Sequence, residues 1–400
     1  MSTSILYHAF GIKDVKHQSL RFQEGEIIFE AEMKRKLARC PACRSRNVVY
    51  KGSRERHLRM VPIGAKKTWL HLTVHKLLCH DCGARRWPIL PFADPLVNYT
   101  RAFERLVVEL LKFSTILAAA CFLGCGWDLI KDIHKKSLGR KYKHIRLKDV
   151  KYIAIDEFSI KKGWVYMTIV IDLRDGRILH VAPGKGADSI EAFIKTLARR
   201  AKKLRAVAVD MNEGYLSALR KWLPKVDIVL DRYHISALIN RAIDELRREH
   251  QAELGKLGNK TIKGSRFLLL ANYEELSGKR KRRLDRLLEV NEPLYVMHAM
   301  KEQLRMFWDL GRKEAERFLE GWCRDAMASG ISQLMRVGKT LAMFRSLILN
   351  YFKHRITCGK IEGINNKIKT LKRQHYGFRD EEYFKLRLFN LHKQRYQLTG

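Results

Sequence analysis

The sequence predicts a multidomain α+β protein with a cysteine ribbon, a helix-turn-helix, and an α/β domain that is interrupted by an all-helical insertion. Three observations lead to this fold class. Two CxxC pairs lie within the first 82 of 400 residues, a helical pattern follows three prolines, and β-branched runs from residue 150 give way to a long stretch without strand-like sequence. Because hydrophobic cores rarely stay single at this length, we expect several domains.

The chain is strongly basic. It contains 79 Lys and Arg against 42 Asp and Glu, a formal charge of +37, and a field of this sign attracts polyanions such as nucleic acid. No apolar run approaches the roughly 20 residues of a membrane span, and the N-terminus has no signal-peptide pattern. We therefore expect a cytoplasmic protein that binds DNA and no membrane. Charge alone leaves a ribosomal or membrane-surface protein as the alternative.

The first predicted domain, residues 1–95, contains two CxxC knuckles. Their cysteines are Cys40, Cys43, Cys79 and Cys82. Four thiolates at this spacing can surround Zn²⁺ tetrahedrally, and the alternating segment 68–75 supplies the hairpin that such a module needs. We predict a structural zinc ribbon, because the alternative, a redox CxxC, requires one pair rather than two. Residues 1–38 carry little signal, and no role is predicted for them.

The second predicted domain, residues 96–148, follows Pro88, Pro91 and Pro95, which mark a boundary. Its spacing is typical of a helix-turn-helix, with Ala120 where two helices would cross and Gly124 in the turn. The outer face of the second helix would then carry Asp128, Lys131, Asp132 and Lys135. We predict that Lys131 and Lys135 contact DNA, although any antiparallel pair of helices shares part of this pattern.

The third predicted domain, residues 149–400, begins with three strand-like runs, followed by a helical segment and a short apolar strand. These segments are 150–160, 163–172, 177–181, 189–203 and 205–209. An RNase H-like fold has this β-β-β-α-β order, with acidic residues on its first and fourth strands and on a later helix.

A further strand-like run, 226–230, precedes a long Lys/Arg-rich helical stretch, which predicts a helical insertion at about residues 240–350. The insertion contains a basic run at 279–283. Such a run is usually a solvated helix face, and nonspecific contact with phosphate is the alternative.

Three apolar runs each deliver an acidic residue: Asp156, Asp210 and Glu362. Asp156 and Asp210 both follow strand-like runs that should be neighbours, so their carboxylates should meet at one sheet edge. Gathered carboxylates can hold Mg²⁺ or Mn²⁺ beside a phosphate that is attacked. A single Asp at a strand end fits a loop cap equally well, but its recurrence favours a metal-dependent phosphoryl-transfer site.

Glu362 begins a helix whose apolar stripe contains Ile361, Ile364, Ile368 and Leu371. The other side of this helix carries Glu362, Asn366, Lys369 and Arg373. This layout aligns a metal-binding carboxylate with three residues that we predict to contact DNA phosphates. An ordinary amphipathic helix is the alternative. Tyr376 or Phe378, which follow, could be core residues or could stack on bases.

Several of these motifs together resemble one family. They are the cysteine knuckles, the helix-turn-helix, Asp156, Val209-Asp210-Met211 with Tyr215 after it, Asp231-Arg232-Tyr233-His234, and IEGINNKIKTLKRQHYGFRD at 361–380. From about Cys40 to Leu388 the chain resembles the ISL3 family of bacterial insertion-sequence transposases. The resemblance implies a DDE transposase with Asp156, Asp210 and Glu362 as ligands. Asp231 and His234 match a DxxH signature and would be accessory, and Asp231 is the best substitute should Asp210 prove structural.

The resemblance also implies a mechanism with two metal ions. One Mg²⁺, at Asp156 and Asp210, would activate water to cut the transposon end, and the other, at Asp156 and Glu362, would stabilise the leaving oxygen. The freed 3′-OH would then attack target DNA. The implied partners are double-stranded DNA, both terminal inverted repeats and target, and further copies of the chain in a homodimer or higher oligomer at the bacterial nucleoid.

Two other functions stay open on the sequence alone. One is a sequence-specific DNA-binding regulator with a degenerate nuclease domain, which would bind DNA without cutting it. The other is a different nuclease of the same fold, such as a junction resolvase or a repair enzyme. A structure-specific nuclease has less need for a zinc ribbon and a helix-turn-helix, which disfavours it.

Overall fold

The computed structural model describes residues 4–34, 38–161, 165–256, 262–374 and 379–393. The chain divides into two compact units, Met1–His144 with Thr370–Gly400, and Ile145–Lys369. The fold is mixed α+β. The first unit includes both predicted N-terminal domains together with the C-terminal residues. The predicted role of Tyr376 or Phe378 falls outside the described residues.

The N-terminal half of the first unit is built on a five-stranded sheet. Its strands are β1 (Val15–Gln23), β2 (Glu26–Met33), β3 (Val48–Arg59), β4 (Thr68–Cys79) and β5 (Arg85–Arg86). The order is β1-β2-β4-β3, with β5 beside β4. Strand β4 alternates between buried and partly exposed residues, as its sequence predicts, and its inward face includes Leu70 and Leu72.

Strands β1 and β2 form an antiparallel hairpin within the segment for which no role was predicted. Strand β2 pairs in parallel with β4, and its Ile27, Phe29 and Ala31 are buried in the same core as β4. The alternating apolar residues of β2 are therefore the sequence signal for a half-buried strand in this segment.

Four helices of the first unit are α1 (Ile5–His8), α2 (Arg101–Leu110), α3 (Ile116–Leu123) and α4 (Trp127–Tyr142). The Thr115 side chain caps α3 by accepting the Ala118 N–H, and α3 ends at Gly124, which has a φ of 59°. Glycine adopts this left-handed conformation without steric cost, which explains the turn before α4.

The second unit contains a second five-stranded sheet. Its strands are β6 (Tyr152–Lys161), β7 (Val165–Asp172), β8 (Ile178–Pro183), β9 (Ala206–Val209) and β10 (Asp227–Leu230). The order is β8-β7-β6-β9-β10. β6, β7 and β8 are antiparallel, whereas β9 is parallel to β6 and β10 to β9. Helices α5 (Ala187–Arg200) and α6 (Glu213–Trp222) supply the crossovers that parallel strands require.

Helices follow β10. They are α7 (Arg232–Lys256), α8 (Arg266–Leu270), α9 (Gly278–Glu289), α10 (Glu292–Met306), α11 (Arg312–Ala328), α12 (Ser332–Met343), α13 (Arg345–Leu349), α14 (Tyr351–His354) and α15 (Gly359–Gln374). No strand lies among the described residues from 231 to 374. The aromatic rings of Phe307, Trp308 and Tyr351 pack together inside this stretch.

The last described helix of the first unit is α16 (Glu381–Phe389). Its Tyr383 is buried, and the hydroxyl lies 2.8 Å from His134 Nδ1 on α4.

Among the helices of the described residues, none is both long enough and apolar enough to cross a bilayer.

Candidate active site and zinc-binding ribbon

Three adjacent parallel strands bring three aspartates to one edge of the second sheet. The residues opposite one another are Ala154 with Ala208 and Val209 with Leu230. Two residues beyond the first pair, Asp156 lies opposite Asp210, and one residue beyond the second pair, Asp210 lies opposite Asp231. Strand β6 continues to Lys161, so Asp156 lies inside its strand, at the level where β9 ends. The expectation that Asp156 ends its strand is thus wrong, because β7 extends the pairing of β6 on the other side.

These aspartates repel one another in a partly dry environment. Burial raises the pKa of Asp156, and the charge of Asp210 raises it further. Burial and the charge of Asp231 likewise raise the pKa of Asp210. The positive charge of His234 acts in the opposite direction on both. A divalent cation would relieve this repulsion, so the donor set of hard oxygens fits Mg²⁺ or Mn²⁺.

Helix α15 is attached to this edge by two hydrogen bonds. Asn365 Nδ2 donates to Asp156 Oδ2 at 3.0 Å, and the backbone N–H of Cys358 donates to Asp231 Oδ1 at 3.1 Å. The oxygen of the same amide, Asn365 Oδ1, is buried and has no hydrogen-bond partner among the described residues. The sequence prediction missed Asn365, although it lies three residues after Glu362, one turn further along the helix.

Glu362 lies in the first turn of α15 and is exposed. It lines a cavity of about 740 Å³ together with Asp156, Asp231 and His234. Within the described ranges, these carboxylates do not form a group of three or more side chains that is close enough to hold a metal ion as it stands. The structure therefore brings Glu362 to the same cavity as Asp156 and Asp231, whereas the predicted ligand Asp210 is not among the residues that line it.

Other walls of this cavity come from the helical stretch and from α15. The helical residues are Asn272, Arg305, Trp308 and Asp309, and those of α15 include Asn366 and Lys369. Two of the three α15 residues with predicted DNA contacts thus line the cavity. Arg373 is exposed on the same helix.

A buried polar network lies behind the aspartates. Fully buried Tyr215 donates from its hydroxyl to Glu157 Oε2 at 3.2 Å, and the same hydroxyl lies 2.8 Å from Thr168 Oγ1. Burial raises the pKa of Glu157, and the charge of Asp210 adds to this effect. Tyr215 belongs to the motif after Asp210, and its hydroxyl connects Glu157 to Thr168 behind the aspartates.

The four knuckle cysteines gather into one cluster in the first unit. Their Sγ atoms lie within 4.8 Å of one another, with 3.6 Å between Cys40 and Cys82 and 3.5 Å between Cys43 and Cys79. Tetrahedral zinc with Zn–S bonds of about 2.3 Å places sulfurs about 3.8 Å apart. The backbone N–H groups of Cys43 and Ala42 lower the pKa of Cys40 to about 6, whereas the neighbouring thiols raise the pKa of Cys43 and Cys82, as expected for four sulfurs gathered without a cation. The cluster fits structural zinc.

The two α4 lysines with predicted DNA contacts have protein partners. Lys131 Nζ and Lys135 Nζ each lie 3.1 Å from Asp380 Oδ2, and Lys135 also pairs with Glu382 at 2.7 Å. Both lysines are partly exposed. Their charges are thus compensated by the residues at the start of α16.

Comparison with known proteins identifies two regions. Residues 153–388 match the ISL3 family model described as a transposase, and residues 36–82 match one described as the zinc-finger of transposase IS204/IS1001/IS1096/IS1165. The chain is 32% identical over 361 residues to the transposase for insertion sequence element IS1001 of Bordetella parapertussis, covering 88% of each chain. It is 25% identical over 372 residues to that of IS1557 of Mycobacterium tuberculosis, covering 86% of this chain and 84% of the relative.

A solved structure, the Drosophila P element transposase strand transfer complex, is 10% identical, with a TM-score of 0.38, over 74% of this chain and 91% of that chain. The transposase match spans more than half of the chain, and the match to the Bordetella relative exceeds 30% identity over most of both sequences. The motifs quoted from the sequence predicted the same family. The chain therefore belongs to the ISL3 family of insertion-sequence transposases, and it is a DNA transposase.

Proposed function

We propose that this transposase binds the terminal inverted repeats of its insertion sequence and catalyses metal-dependent cleavage of the 3′ ends and their transfer into target DNA. The observation that carries the proposal is the register of Asp156, Asp210 and Asp231 at one sheet edge, with Glu362 in the cavity that Asp156 and Asp231 line. The strand order supports an RNase H-like catalytic domain with a helical insertion at about residues 240–350.

Asp156 and Asp210 would hold Mg²⁺ or Mn²⁺ from the sheet, and Glu362 would complete the site from α15. The metal, which we propose as two ions, would activate the attacking water or 3′-OH and stabilise the leaving oxygen. Asp231 has an accessory role, because it fixes the start of α15 through the Cys358 N–H. His234 lines the same cavity, and a positive charge on its ring would lower the pKa of both sheet aspartates.

DNA would approach the site along α15. Asn366 and Lys369 line the cavity on the same helix as Glu362, and Arg373 lies one turn further on. We propose the zinc ribbon and a helix-turn-helix of α3 and α4 as the modules that read the transposon end. DNA contact by Lys131 or Lys135 requires that their ion pairs with Asp380 be exchanged for phosphate. Pairing of two ends would require a homodimer or higher oligomer, at the nucleoid.

The test is cleavage of a DNA fragment that carries the element's own end, with Mg²⁺ or Mn²⁺. Asp156→Ala, Asp210→Ala and Glu362→Ala should each abolish cutting while binding of the end persists. Asp149→Ala, which removes an exposed carboxylate paired with Lys203, should cut like wild type. If the wild type binds the end but never cuts it with either metal, the regulator with a degenerate nuclease domain replaces this proposal.

A further inference from the structure

Helix α9 carries four cations on one face. Lys279, Arg282, Arg283 and Arg286 are spaced i, i+3, i+4 and i+7, which places them on the same side of the helix. All four are exposed, whereas Leu284 and Leu288 of the same helix are buried. The basic run that the sequence analysis interpreted as a solvated face therefore contributes to a single stripe of exposed cations along the helix.

These cations converge on a concave surface rather than a convex one. Together with Ser265, Leu268 and Leu287 they line a cavity of about 540 Å³, which we call the basic cavity. Arg283 is held in place there, because its Nη2 donates to the backbone carbonyl of Lys263 at 3.1 Å. The described residues that line it include no Asp or Glu.

Within the part of the chain that the structure describes, the four charges have no counter-charge. Among the described residues, none of the four forms an ion pair with a carboxylate, although many other surface cations of the chain do. Asp285, the nearest acid in the sequence, is hydrogen-bonded to Tyr273 instead. Like charges three and four residues apart destabilise a helix. A bound anion would remove this cost, whereas water only screens it.

We propose that the basic cavity binds phosphate groups of a nucleic-acid backbone, as a DNA contact separate from the cavity that holds Asp156 and Glu362. This inference rests on the proposed function, since it assumes that the protein acts on DNA. Of the described residues, those that line the basic cavity include no aromatic ring and no amide side chain. Contacts are therefore made to phosphate oxygens and carry no sequence readout.

The geometry gives the number of contacts. Seven residues of helix span about 10 Å, and successive phosphates of one strand advance about 3.4 Å along a duplex. The stripe therefore covers about two to three phosphates. Each neutralised phosphate contributes about 0.9 to the slope of log K against log salt concentration, so the cavity should account for about 2 units of that slope.

The experiment compares duplex DNA binding by full-length proteins between about 50 and 200 mM KCl, by fluorescence anisotropy, on a random sequence and on the transposon end. The test variant carries Lys279→Gln, Arg282→Gln, Arg283→Gln and Arg286→Gln. The matched control carries Arg312→Gln, Lys313→Gln, Arg317→Gln and Arg324→Gln on α11, where the cations alternate with acidic residues. Both lose four positive charges from the second unit. Circular dichroism melts confirm that each is folded.

We expect the test variant to lose about 2 units of slope on both DNA sequences, and the control to lose less than 1. Equal slopes for test variant and wild type, or an equal loss in both variants, would overturn the basic cavity as a backbone site. A wild type that fails to bind either DNA refutes the proposed function itself. Inorganic phosphate distinguishes a site for free phosphate from a site for the DNA backbone. If inorganic phosphate raises the Tm of the wild type but not of the test variant, while both proteins have the same salt slope for DNA, the cavity is a free-phosphate site and the proposal fails.

Discussion

Asn365 connects the helix that carries Glu362 to the strand that carries Asp156. Replacing it by Ala removes the donor to Asp156 Oδ2 and leaves that carboxylate free to turn. Loss of a partner that orients a metal ligand typically costs 10- to 100-fold in activity or metal affinity. We expect end cleavage by Asn365→Ala to fall by about 10- to 100-fold, measured under single-turnover conditions, with binding of the end unchanged.

The control for this variant is Lys367→Ala, which alters an exposed residue of the same helix that does not line the cavity. It should cleave within about twofold of wild type. If Asn365→Ala cleaves as fast as Lys367→Ala and needs no more Mn²⁺, then the hydrogen bond does not position Asp156.

The negative charge of Asp210 destabilises the metal-free protein. Its pKa is raised by burial and by Asp231, so the native state binds this proton more tightly than the unfolded state does. Stability is therefore lost as the pH rises from the ordinary Asp pKa of about 3.9 to the raised native value, and stays lost above it. Asp210→Asn keeps an acceptor for the Asn212 N–H.

We expect metal-free Asp210→Asn to have a higher Tm than wild type at neutral pH, and this advantage to disappear below about pH 4, where the wild-type carboxyl is also neutral. Differential scanning calorimetry across pH measures both effects. Mg²⁺ should raise the Tm of the wild type more than that of the variant. A lower Tm for the variant at neutral pH would show that Asp210 is compensated in the free protein.

Single residues were predictable where a local pattern fixes them. Asp156 and Asp210 follow apolar β-branched runs, and such runs form the centre of a sheet, so their proximity could be predicted. The Asn365 contact depends on the distance between α15 and β6, which no periodicity encodes. The partner of Lys135 is Asp380, 245 residues later in the chain. The sequence predicted that Lys135 lies on the exposed face of its helix, but it did not predict this ion pair.

At the scale of elements, we expect the ribbon to depend on a zinc ion. Two of the four cysteines, Cys43 and Cys82, are exposed, so apolar burial contributes little at those corners of the cluster. We expect one zinc per chain by mass spectrometry of the metal, and its loss in Cys43→Ser with faster proteolysis of residues 40–82. Cys121→Ser, an exposed cysteine outside the cluster, should retain the zinc. Retention of zinc by Cys43→Ser would contradict this ligand set.

Elements with local signals were easier to predict than their pairing. The alternation of β4 and the Gly124 turn were recognised because period and turn chemistry act within a few residues. The parallel pairing of β2 with β4 joins Ile27 to Thr68, across more than forty residues, and its register depends on packing. Strand β2 was missed for the same reason, since a short alternating run proves little without its partner strand.

For the whole molecule, the order of elements in the second unit followed from the sequence, because its β-β-β-α-β segments are joined by short connections. The extent of the first unit did not. Residues from 370 onward belong to it, although their sequence continues the predicted catalytic domain. The buried hydrogen bond between Tyr383 and His134 is part of this assembly. Contacts between distant segments decide such boundaries, and composition does not reveal them.

The excess charge acts on the whole molecule and gives it two opposite responses to salt. With 79 cations and 42 anions, one-to-one pairing leaves 37 cations without a partner, so self-repulsion destabilises the free protein. Added KCl screens this repulsion and should raise the Tm of the free protein, while it weakens DNA binding through counterion competition. Differential scanning calorimetry and anisotropy in the same buffers measure both. A Tm that falls with KCl would mean that the ion pairs stabilise the fold by more than the unpaired cations destabilise it. The unpaired cations would then have to be clustered away from the folded core rather than spread over its surface.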